Sequence, residues 1–373
     1  MTAFRVVVVG AGGISGAWFP PLKKEGVSVA AVVDLRPEAA RAAIEKHQLA
    51  AEASGDLKAM LRKHRPDFVV DLSVPESHCA VTCAALKAGT HVIGEKPMAP
   101  TLAEARRMVR TAERTERLYM VDQSRRWDAR HECIQRAVAS GAIGPLTAIN
   151  CDFYLGAHFG GFRDEMPSPL ILDMAIHHFD LARMLTGADA TSVYAKEFTP
   201  AGSWYKGDAA ASCIFEMSRI AGVPPARGTS TDQEHEQDAR ATQGRDALAT
   251  SGQAYPVIFT YRGSWCSEGC HTSWNGNWRL VGTRGTLLYE NDKDPAGQAV
   301  AGEEGFHRPL KDITPPCPPL EFPTMHGALR EMLEFLRTGR RPQTECHDNI
   351  KSLAMVLAAV ASARQGRRVP VRA

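Results

Sequence analysis

The first strand and the glycine-rich turn after it constrain this chain more than any other stretch. Phe4–Val9 is a continuous apolar run of strand length, typical of a central parallel strand covered on both faces. Gly10-Ala-Gly-Gly-Ile-Ser15 follows and opens a helix, which matches the dinucleotide fingerprint G-x-G-x-x-G/A with Ser15 at the third glycine position. A helix N-terminus that begins in this way can hold a pyrophosphate. The pattern predicts a dinucleotide site that includes Gly10, Gly12, Gly13 and Ile14.

Strands and helices alternate along the first third of the chain. Apolar runs of strand length recur at Val27–Val33, Phe68–Ser73 and Leu118–Gln123, with helical segments between them. This alternation is typical of a parallel sheet with helices on both faces. We therefore predict an α/β fold whose N-terminal domain, residues 1–124, is a doubly wound parallel sheet of the Rossmann type.

An acidic residue ends the second predicted strand and bears on the choice of cofactor. Asp34 at this place can accept both hydroxyls of the adenosine ribose and repels a 2′-phosphate, which favours NAD over NADP. Arg36 complicates the choice, because it can stack on adenine or neutralise that phosphate. A turn before Pro37 is the structural alternative for Asp34 and is compatible with either cofactor.

The stretch His91–Pro97 places Glu95 and Lys96 directly after another short strand. In open α/β sheets, ligands bind in the crevice outside the carboxyl ends of the strands. A lysine ammonium at such an end can hold a hydroxyl or stabilise a developing alkoxide, as an oxidoreductase requires. Taken alone, the stretch favours a surface lysine in a turn, and the motifs described below reverse that preference.

The second part of the chain has a different organisation. Strands follow one another without intervening helices after Leu146–Tyr154, and two helices end the chain. We predict that residues 125–373 form an α+β domain with a large, mostly antiparallel sheet for substrate binding and oligomerisation. Residues 218–254 are rich in small and polar residues and separate two strands that would otherwise form a hairpin, so we expect a flexible surface insertion there.

The predicted helix Leu170–Leu185 carries Asp173, His177 and Asp180 at positions i, i+4 and i+7, on one stripe. An acid one turn before a histidine can fix its tautomer and raise its basicity. The alternative is a solvated helix face. A metal site using His177 and His178 is disfavoured because adjacent helical residues point about a quarter-turn apart, and we predict no metal.

Three of the six tryptophans fall within Gly263–Trp278, together with His271, Asn275 and Asn277. Aromatic and amide side chains can floor a sugar pocket. They can equally form sheet core or an oligomer interface, which is the interpretation that we favour for this tract.

Composition narrows the partners and the compartment. A net charge of +2 gives no reason to expect nucleic acid or an anionic membrane, and no apolar run reaches the ~20 residues that span a bilayer. The chain enters its first strand almost directly, without the features of a secretory signal. Nine scattered cysteines do not resemble a disulfide framework, so reduced thiols and a cytoplasmic location are expected.

Together these motifs resemble those of the glucose-fructose oxidoreductase / inositol dehydrogenase / MocA (Gfo/Idh/MocA) family, nearly end to end. The residues that carry the resemblance are Gly10–Ser15, Asp34, Pro75-Glu-Ser-His78, Glu95-Lys-Pro97, Gln123-Ser-Arg-Arg-Trp127 and Asp173-Met-Ala-Ile-His-His-Phe-Asp180. The chain departs from the family pattern at Glu76, where asparagine is frequent, at Ala175, where many members have glycine, and in the 218–254 segment.

The resemblance implies an NAD-dependent dehydrogenase that acts on a CH–OH group of a sugar or polyol. Lys96 would bind the reacting hydroxyl, His177 would take its proton, and Asp173 would position both substrate and histidine. Arg125 joins these three in the predicted substrate site. The predicted cofactor-binding residues are Gly10, Gly12, Gly13, Ile14, Asp34, Arg36, Ser73, Pro75, His78, Glu95, Lys96 and Gln123.

Two other functional classes stay open at this point. One is a glycosidase that retains NAD and acts by transient oxidation, and the other is a non-catalytic NAD or sugar sensor on the same fold. The presence of both Lys96 and His177 argues against the sensor. An antiparallel sheet with helices on one face leaves the other to be covered, so we expect a homodimer or homotetramer in which the Trp-rich strands pack against a second copy.

Overall fold

The computed structural model describes residues 3–218 and 256–373. The insertion predicted over 218–254 lies outside the described residues except for Ser218, the last residue of a strand.

The N-terminal sheet has six parallel strands. In chain order they are β1 (Arg5–Val9), β2 (Ser28–Val33), β3 (Glu52–Ser54), β4 (Phe68–Asp71), β5 (His91–Gly94) and β6 (Tyr119–Val121). Their order in the sheet is β3-β2-β1-β4-β5-β6, the doubly wound arrangement in which dinucleotides bind where the strand order reverses. The predicted Rossmann sheet is confirmed.

Five helices connect these strands: α1 (Ser15–Lys24), α2 (Pro37–His47), α3 (Leu57–His64), α4 (Pro75–Lys87) and α5 (Leu102–Thr115). Local sequence explains several of their first turns. Pro37 and Pro75 occupy the first helical position, where a missing N–H costs nothing. Thr101 caps α5 by accepting a hydrogen bond from the Glu104 backbone N–H at 3.2 Å.

The second sheet has nine strands in the order β14-β13-β12-β11-β7-β10-β9-β8-β15. They are β7 (Leu146–Tyr154), β8 (Asp189–Phe198), β9 (Ala210–Ser218), β10 (Val257–Ser264), β11 (Asn277–Gly282), β12 (Gly285–Tyr289), β13 (Ala296–Val300), β14 (Leu310–Ile313) and β15 (Val369–Pro370). All pairings are antiparallel except that of β7 with β10. The mostly antiparallel sheet is confirmed, and β9 and β10 pair as the sequence pattern indicated.

The helical elements of the second part are α6 (Ala129–Ala139), α7 (Phe162–Glu165), α8 (Ile176–Thr186), α9 (Met325–Thr338) and α10 (Cys346–Gln365). A 3₁₀ turn, Ser124–Trp127, leads from β6 towards α6, and a π-helical segment, Leu170–Ala175, runs directly into α8. α8 and α10 cover one face of the nine-stranded sheet and share a buried core with it, which includes Phe179, Phe215 and Phe259.

The end of the chain returns to the first domain. Leu329, Met332 and Leu333 of α9 belong to the same buried cluster as Trp18 and Phe19 of α1. His326 and Arg330 of α9 also form ion pairs with Glu25, at 2.7 and 3.0 Å. The division into residues 1–124 and 125–373 stays a prediction. Helix α9, near the end of the chain, packs into the core of the N-terminal part.

The expectation that all cysteines are reduced is wrong for one pair. Cys133 of α6 and Cys317 form a disulfide, because the fold brings together residues 184 positions apart. Sequence spacing could not show this pairing. The other seven cysteines are free, and the cytoplasmic location stays a prediction without that support. Among the described helices, none has the length and apolar character needed to cross a membrane.

Candidate functional site

The glycine-rich turn between β1 and α1 leaves room for a ligand against the backbone. Gly10 has φ +97°, and a Cβ there would meet the Leu72 carbonyl oxygen at 2.5 Å, so only glycine fits. A Cβ at Gly12 or Gly13 would meet nothing within 4 Å. The backbone of these two residues is therefore open to a phosphate at the start of α1, as the fingerprint predicts.

Asp34 lies beside this turn. Its two carboxylate oxygens accept hydrogen bonds from the backbone N–H groups of Ala11 and Arg36, each at 2.9 Å. A carboxylate offers about four acceptor sites, so capacity for ribose hydroxyls remains. The Arg36 side chain is largely exposed, and its Nε atom lies 3.9 Å from the Asp34 Oδ1 atom. Both predicted residues are thus placed at the end of β2 where an adenosine would bind.

The turns after β4 and β5 are joined by a buried histidine. The ring nitrogens of His78 face the carbonyl oxygens of Ser73 and Pro97, at 2.8 and 2.9 Å. His78 is 1% exposed and both of its ring nitrogens face the two turns, while the cofactor contact predicted for it stays a prediction. Its ring joins Ser73 to Pro97, which follows the cis Lys96–Pro97 peptide bond, and Pro75 begins the helix that carries it.

Three polar side chains, Glu95, Asp122 and Gln123, follow the ends of β5 and β6 near Lys96. Glu95 accepts a hydrogen bond from Trp18 Nε1 at 3.0 Å, yet burial raises its pKa. Burial raises the pKa of Asp122 well above its ordinary value, and the Glu95 charge adds to the effect. The buried Gln123 amide has no hydrogen-bond partner for either polar atom within the described residues. Buried amides are normally bonded, so Gln123 fits a site completed by a ligand.

Lys96 is held by Asp173. Its ammonium donates to the Asp173 Oδ1 atom at 2.9 Å and to the Asp173 backbone carbonyl at 2.7 Å. Arg163 Nε donates to the Oδ2 atom of the same carboxylate at 2.6 Å. Burial alone raises the pKa of Asp173, but the charges of Lys96 and Arg163 outweigh it and hold that pKa low. One of the three ammonium N–H groups of Lys96 stays free for another acceptor.

His177 lies in the first turn of α8, one turn after Asp173. Its Nδ1 atom is buried without a hydrogen-bond partner among the described residues. Burial lowers the pKa of His177 well below its ordinary value, and the charges of Lys96, Arg125 and His178 lower it further. The imidazole is therefore neutral at pH 7 and can accept a proton.

The predicted stripe of Asp173, His177 and Asp180 is wrong, because Leu170–Ala175 is π-helical and does not follow α-helical spacing. Asp173 bonds to Lys96 and Arg163, and the described structure contains no hydrogen bond between Asp173 and His177. Asp180 is 1% exposed and lies in a different cluster. The alternative of a solvated helix face is also wrong, because Asp180 is buried.

Arg125 approaches the same crevice from the 3₁₀ turn. Its Nη1 atom donates to Asn275 Oδ1, and its Nη2 atom lies 4.0 Å from Met174 Sδ, next to Asp173. Its Nε atom is buried and unpartnered in the described structure. Burial lowers the pKa of Arg125 to about 10, which leaves it charged at pH 7. Lys96, Arg125, Arg163, Asp173 and His177 are called the crevice cluster below.

The next residue, Arg126, is paired with carboxylates, unlike Arg125. It donates to both oxygens of Asp180 at 2.6 and 2.7 Å and to Asp348 at 2.8 Å. Arg183 reaches the other oxygen of Asp348 at 2.6 Å, and Ser352 donates to Asp180 at 2.7 Å. Arg126, Asp180, Arg183 and Asp348 are called the buried network. It ties the 3₁₀ turn to α8 and α10.

Aromatic residues border the crevice cluster. The Arg163 guanidinium lies over the Phe159 ring, 4.9 Å from its centroid, and Phe159 packs against Trp265 and Trp274. Trp265 and Trp278 are buried in the sheet core, which confirms the core interpretation for these two. Trp274 is 47% exposed, and Asn275 bonds to Arg125, so part of the tract also faces the crevice.

Ligand-type side chains also meet at the start of α10. Glu345, Cys346 and His347 lie within reach of one ion in the described structure. The two ring nitrogens of His347 already bond to Glu345 at 2.8 Å and to Glu113 at 3.0 Å. These contacts account for the cluster without a metal.

The structure thus brings Lys96, Arg125, Asp173 and His177 together as the sequence predicted. Sequence reasoning missed Arg163, Asp122 and the role of Asn275. Nothing in the pattern around Arg163 indicated it, since it lies between β7 and the π-helical segment without periodicity. Asp122, an acid at the end of an apolar strand, could have been found by the reasoning used for Asp34.

Comparisons with known proteins extend these observations. Residues 4–123 match the family described as "Oxidoreductase family, NAD-binding Rossmann fold", and residues 131–288 match the GFO/IDH/MocA C-terminal domain. D-apiose dehydrogenase of Paraburkholderia graminis is 28% identical over 93% of this chain and 84% of its own length. Myo-inositol 2-dehydrogenase of Thermotoga maritima is 29% identical over 51% of this chain and 57% of its own.

The matched length differs between relatives. The chain spans 62% of protein y4oX of Sinorhizobium fredii, which is 28% identical over 58% of this chain. Among solved structures, an oxidoreductase from Agrobacterium radiobacter in complex with NAD+, L-tartaric acid and magnesium superposes with a TM-score of 0.79. It is 20% identical, and the match covers 99% of each chain, which shows a common fold. The two matching family models together cover most of the sequence, and the chain belongs to the GFO/IDH/MocA family of oxidoreductases, with an NAD-binding Rossmann domain at its N-terminus.

Proposed function

We propose that this protein is an NAD-dependent dehydrogenase that oxidises a CH–OH group of a sugar or polyol. The observation that carries the proposal is the neutral, unpaired imidazole of His177 beside the Lys96 ammonium. These two groups lie at the crevice outside the parallel sheet, where ligands of such folds bind. The names of two relatives, D-apiose dehydrogenase and myo-inositol 2-dehydrogenase, support this substrate class.

The residues of the crevice cluster divide the work of removing a hydroxyl proton. His177 takes that proton on its imidazole, which the low pKa keeps free to receive it. Lys96 donates its remaining N–H to the same oxygen and stabilises the negative charge as it develops. Asp173 fixes the Lys96 and Arg163 side chains through its two oxygens. The chemistry that NAD+ supplies when bound is acceptance of the hydride from the carbinol carbon.

The cofactor end favours NAD over NADP. The open backbone at Gly12 and Gly13 fits a pyrophosphate, and Asp34 keeps acceptor capacity for two ribose hydroxyls. A 2′-phosphate at the same place would meet the Asp34 carboxylate, which repels it.

The proposal is tested by substitution of the two central residues. Lys96→Ala and His177→Ala should each lower kcat by about 10²-fold or more, the size expected for loss of acid–base or alkoxide assistance. NAD affinity, measured by calorimetry, should stay close to that of the parent. Arg110→Gln is the matched control, since Arg110 is exposed on α5. Parent turnover in both alanine variants would place the active site elsewhere.

The same assay separates the two other classes. A dehydrogenase releases NADH in proportion to the oxidised product. An NAD-retaining glycosidase cleaves a glycoside with no net NADH, and a sensor binds NAD or sugar without turnover. Either of these outcomes across a panel of sugars, polyols and glycosides would replace the proposal.

We also propose assembly into a homodimer or homotetramer through the outer face of the nine-stranded sheet. The sequence led us to expect tryptophans on that face, but Trp265 and Trp278 are buried in the core. The partly exposed apolar residues on the outer face are Tyr194, Phe198 and Ile214. Light scattering should show a dimer or tetramer at micromolar concentration, and a monomer there would refute this assembly.

A further inference from the structure

We propose that the substrate is a sugar acid, an aldonate or uronate, and that Arg125 holds its carboxylate in the crevice. This inference rests on the proposed function and adds the charge of the substrate. It starts from an arginine that the fold keeps charged and leaves without a counter-ion.

Arg125 forms no ion pair with any carboxylate of the described residues, whereas its neighbour Arg126 pairs with Asp180 and Asp348. The nearest partners of Arg125 are an amide oxygen and a thioether, neither of which carries charge. Its Nε atom is buried with no acceptor. An arginine buried in this manner is costly unless something else supplies the anion.

The amide that contacts Arg125 is fixed in orientation. Asn275 Nδ2 donates to Asp292 Oδ1 at 2.9 Å, and the same oxygen accepts from the Tyr289 hydroxyl at 2.7 Å. Trp278 Nε1 donates to the Asn275 backbone carbonyl at 2.8 Å. These bonds turn the Asn275 side-chain oxygen towards Arg125. The guanidinium is thus positioned by a neutral acceptor, and the Asp292 carboxylate behind Asn275 acts on it without a direct ion pair.

The crevice cluster itself contains more cationic than anionic side chains, while the Asp128 and Asp292 carboxylates act on Arg125 from outside the cluster without forming an ion pair with it in the described structure. Lys96, Arg125 and Arg163 are cationic, and Asp173 is the carboxylate that pairs with two of them. His177 is neutral, and burial raises the pKa values of Glu95 and Asp122, which favours their uncharged forms. The nicotinamide ring of NAD+ adds a further positive charge at such a site. An anionic substrate group balances this excess, whereas a neutral polyol does not.

The geometry favours a carboxylate over a phosphate. One guanidinium has no ion-pair partner among the described residues, which matches a single carboxylate with two acceptor oxygens. A phosphate monoester carries about −1.5 to −2 at pH 7 and requires more donors than Arg125 leaves free. The Arg125 charge also acts on His177, so a carboxylate at Arg125 lies close to the group that takes the proton.

The test compares matched substrates in the NAD-loaded full-length protein. D-gluconate and D-glucuronate are set against D-glucose and myo-inositol, with D-glucose 6-phosphate as the phosphate arm. The parent should show higher kcat/KM for an acid than for a neutral sugar. Arg125→Met should lower the ratio of acid to neutral kcat/KM by about 10- to 100-fold, mainly through KM, as expected for one hydrogen bond to a charged group. Arg125→Lys should restore part of that ratio, and Arg110→Gln should leave it unchanged.

Binding of D-gluconate to the NADH-loaded protein, followed by calorimetry, gives a second readout and separates the two proposals. Arg125-dependent binding without oxidation of any sugar supports the inference and overturns the proposed dehydrogenase. Oxidation of neutral sugars with an acid-to-neutral ratio that Arg125→Met does not change overturns the inference alone. Preference for the sugar phosphate overturns the choice of a carboxylate. Neither binding nor turnover with any panel member overturns both.

Discussion

The crevice cluster and the buried network lie on two sides of the same helical segment, and they differ in how their charges are paired. In the buried network, Arg126 bonds to both oxygens of Asp180, and Arg183 and Arg126 share Asp348. In the crevice cluster, Arg125 has no carboxylate partner in the described structure and His177 has an unpartnered ring nitrogen. The two arginines that lead into these clusters are adjacent in sequence.

The 3₁₀ turn explains how neighbours reach such different surroundings. With three residues per turn, successive side chains point about a third of a turn apart. Arg126 is therefore directed towards α8 and α10, while Arg125 is directed towards the crevice. A fully paired charge inside the protein holds parts of the fold together and has no capacity left to bind a ligand. Incomplete pairing is tolerated where a ligand can complete it.

The largest expected effect is a loss of stability in Arg126→Met, which is measured against Arg125→Met. Loss of Arg126 leaves Asp180 and Asp348 with fewer counter-ions inside the protein, and breaking a buried pair from one side costs about 3–5 kcal/mol. Loss of Arg125 removes one hydrogen bond but also the cost of burying an unpaired guanidinium, so the net loss should stay near or below about 1 kcal/mol. Thermal unfolding should show a much lower Tm for Arg126→Met. Equal Tm losses would contradict the distinction between the two clusters.

A second comparison contrasts two carboxylates. Asp348 spends its oxygens on Arg126 and Arg183, whereas Asp34 bonds to two backbone N–H groups and keeps acceptor capacity. NAD should bind more tightly than NADP by about 1–3 kcal/mol, and Asp34→Asn should remove most of that difference. Arg36→Gln is the comparison, since loss of the guanidinium should weaken NADP more than NAD. Equal calorimetric affinities of the parent for both cofactors would refute the role of Asp34.

The Rossmann half was predictable because each of its signals is local. A buried strand, a glycine turn and a terminal acid follow one another within 34 residues, and the structure places all three as expected. The strand β14 carries no such local signal, because Leu310–Ile313 has three exposed residues and no alternating pattern.

The crevice cluster was predictable only in its membership. Lys96, Arg125, Asp173 and His177 were identified, but their contacts depend on a π-helical segment that no α-helical spacing reveals. Asp180 was grouped with His177 on that spacing and belongs to the buried network instead. Lys96 contacts Asp173, which lies 77 residues further along the chain, and Arg125 contacts Asn275 across 150 residues. Long-range contacts of this kind require the tertiary structure.

A smaller effect on kcat is expected from a substitution of Asp173, the carboxylate that bonds to both Lys96 and Arg163 in the crevice cluster. Asp173→Asn should lower kcat by about 10-fold, because Lys96 keeps its bond to the residue 173 carbonyl while it loses the paired carboxylate. Steady-state kinetics with one oxidised sugar, beside His177→Ala, gives the measurement. A loss as large as that of His177→Ala would show that Asp173 takes part in proton transfer itself.

The smallest effect is a shift in the pH profile, and it tests whether the unpaired cations act on His177. Burial and the charges of Lys96, Arg125 and His178 lower the pKa of His177, so its neutral form persists below the ordinary value of 6.5. The acidic limb of kcat/KM should therefore lie below about pH 6.5 in the parent. Removing a nearby cation makes protonation easier and raises the pKa. Arg125→Met should then move the limb upward by on the order of half a pH unit, measured with a neutral sugar so that the substrate does not titrate. Arg126→Met, whose charge is balanced within the buried network, should leave the limb in place. A limb at or above pH 6.5 in the parent, or the same shift in both methionine variants, would show that the crevice charges do not set the basicity of His177.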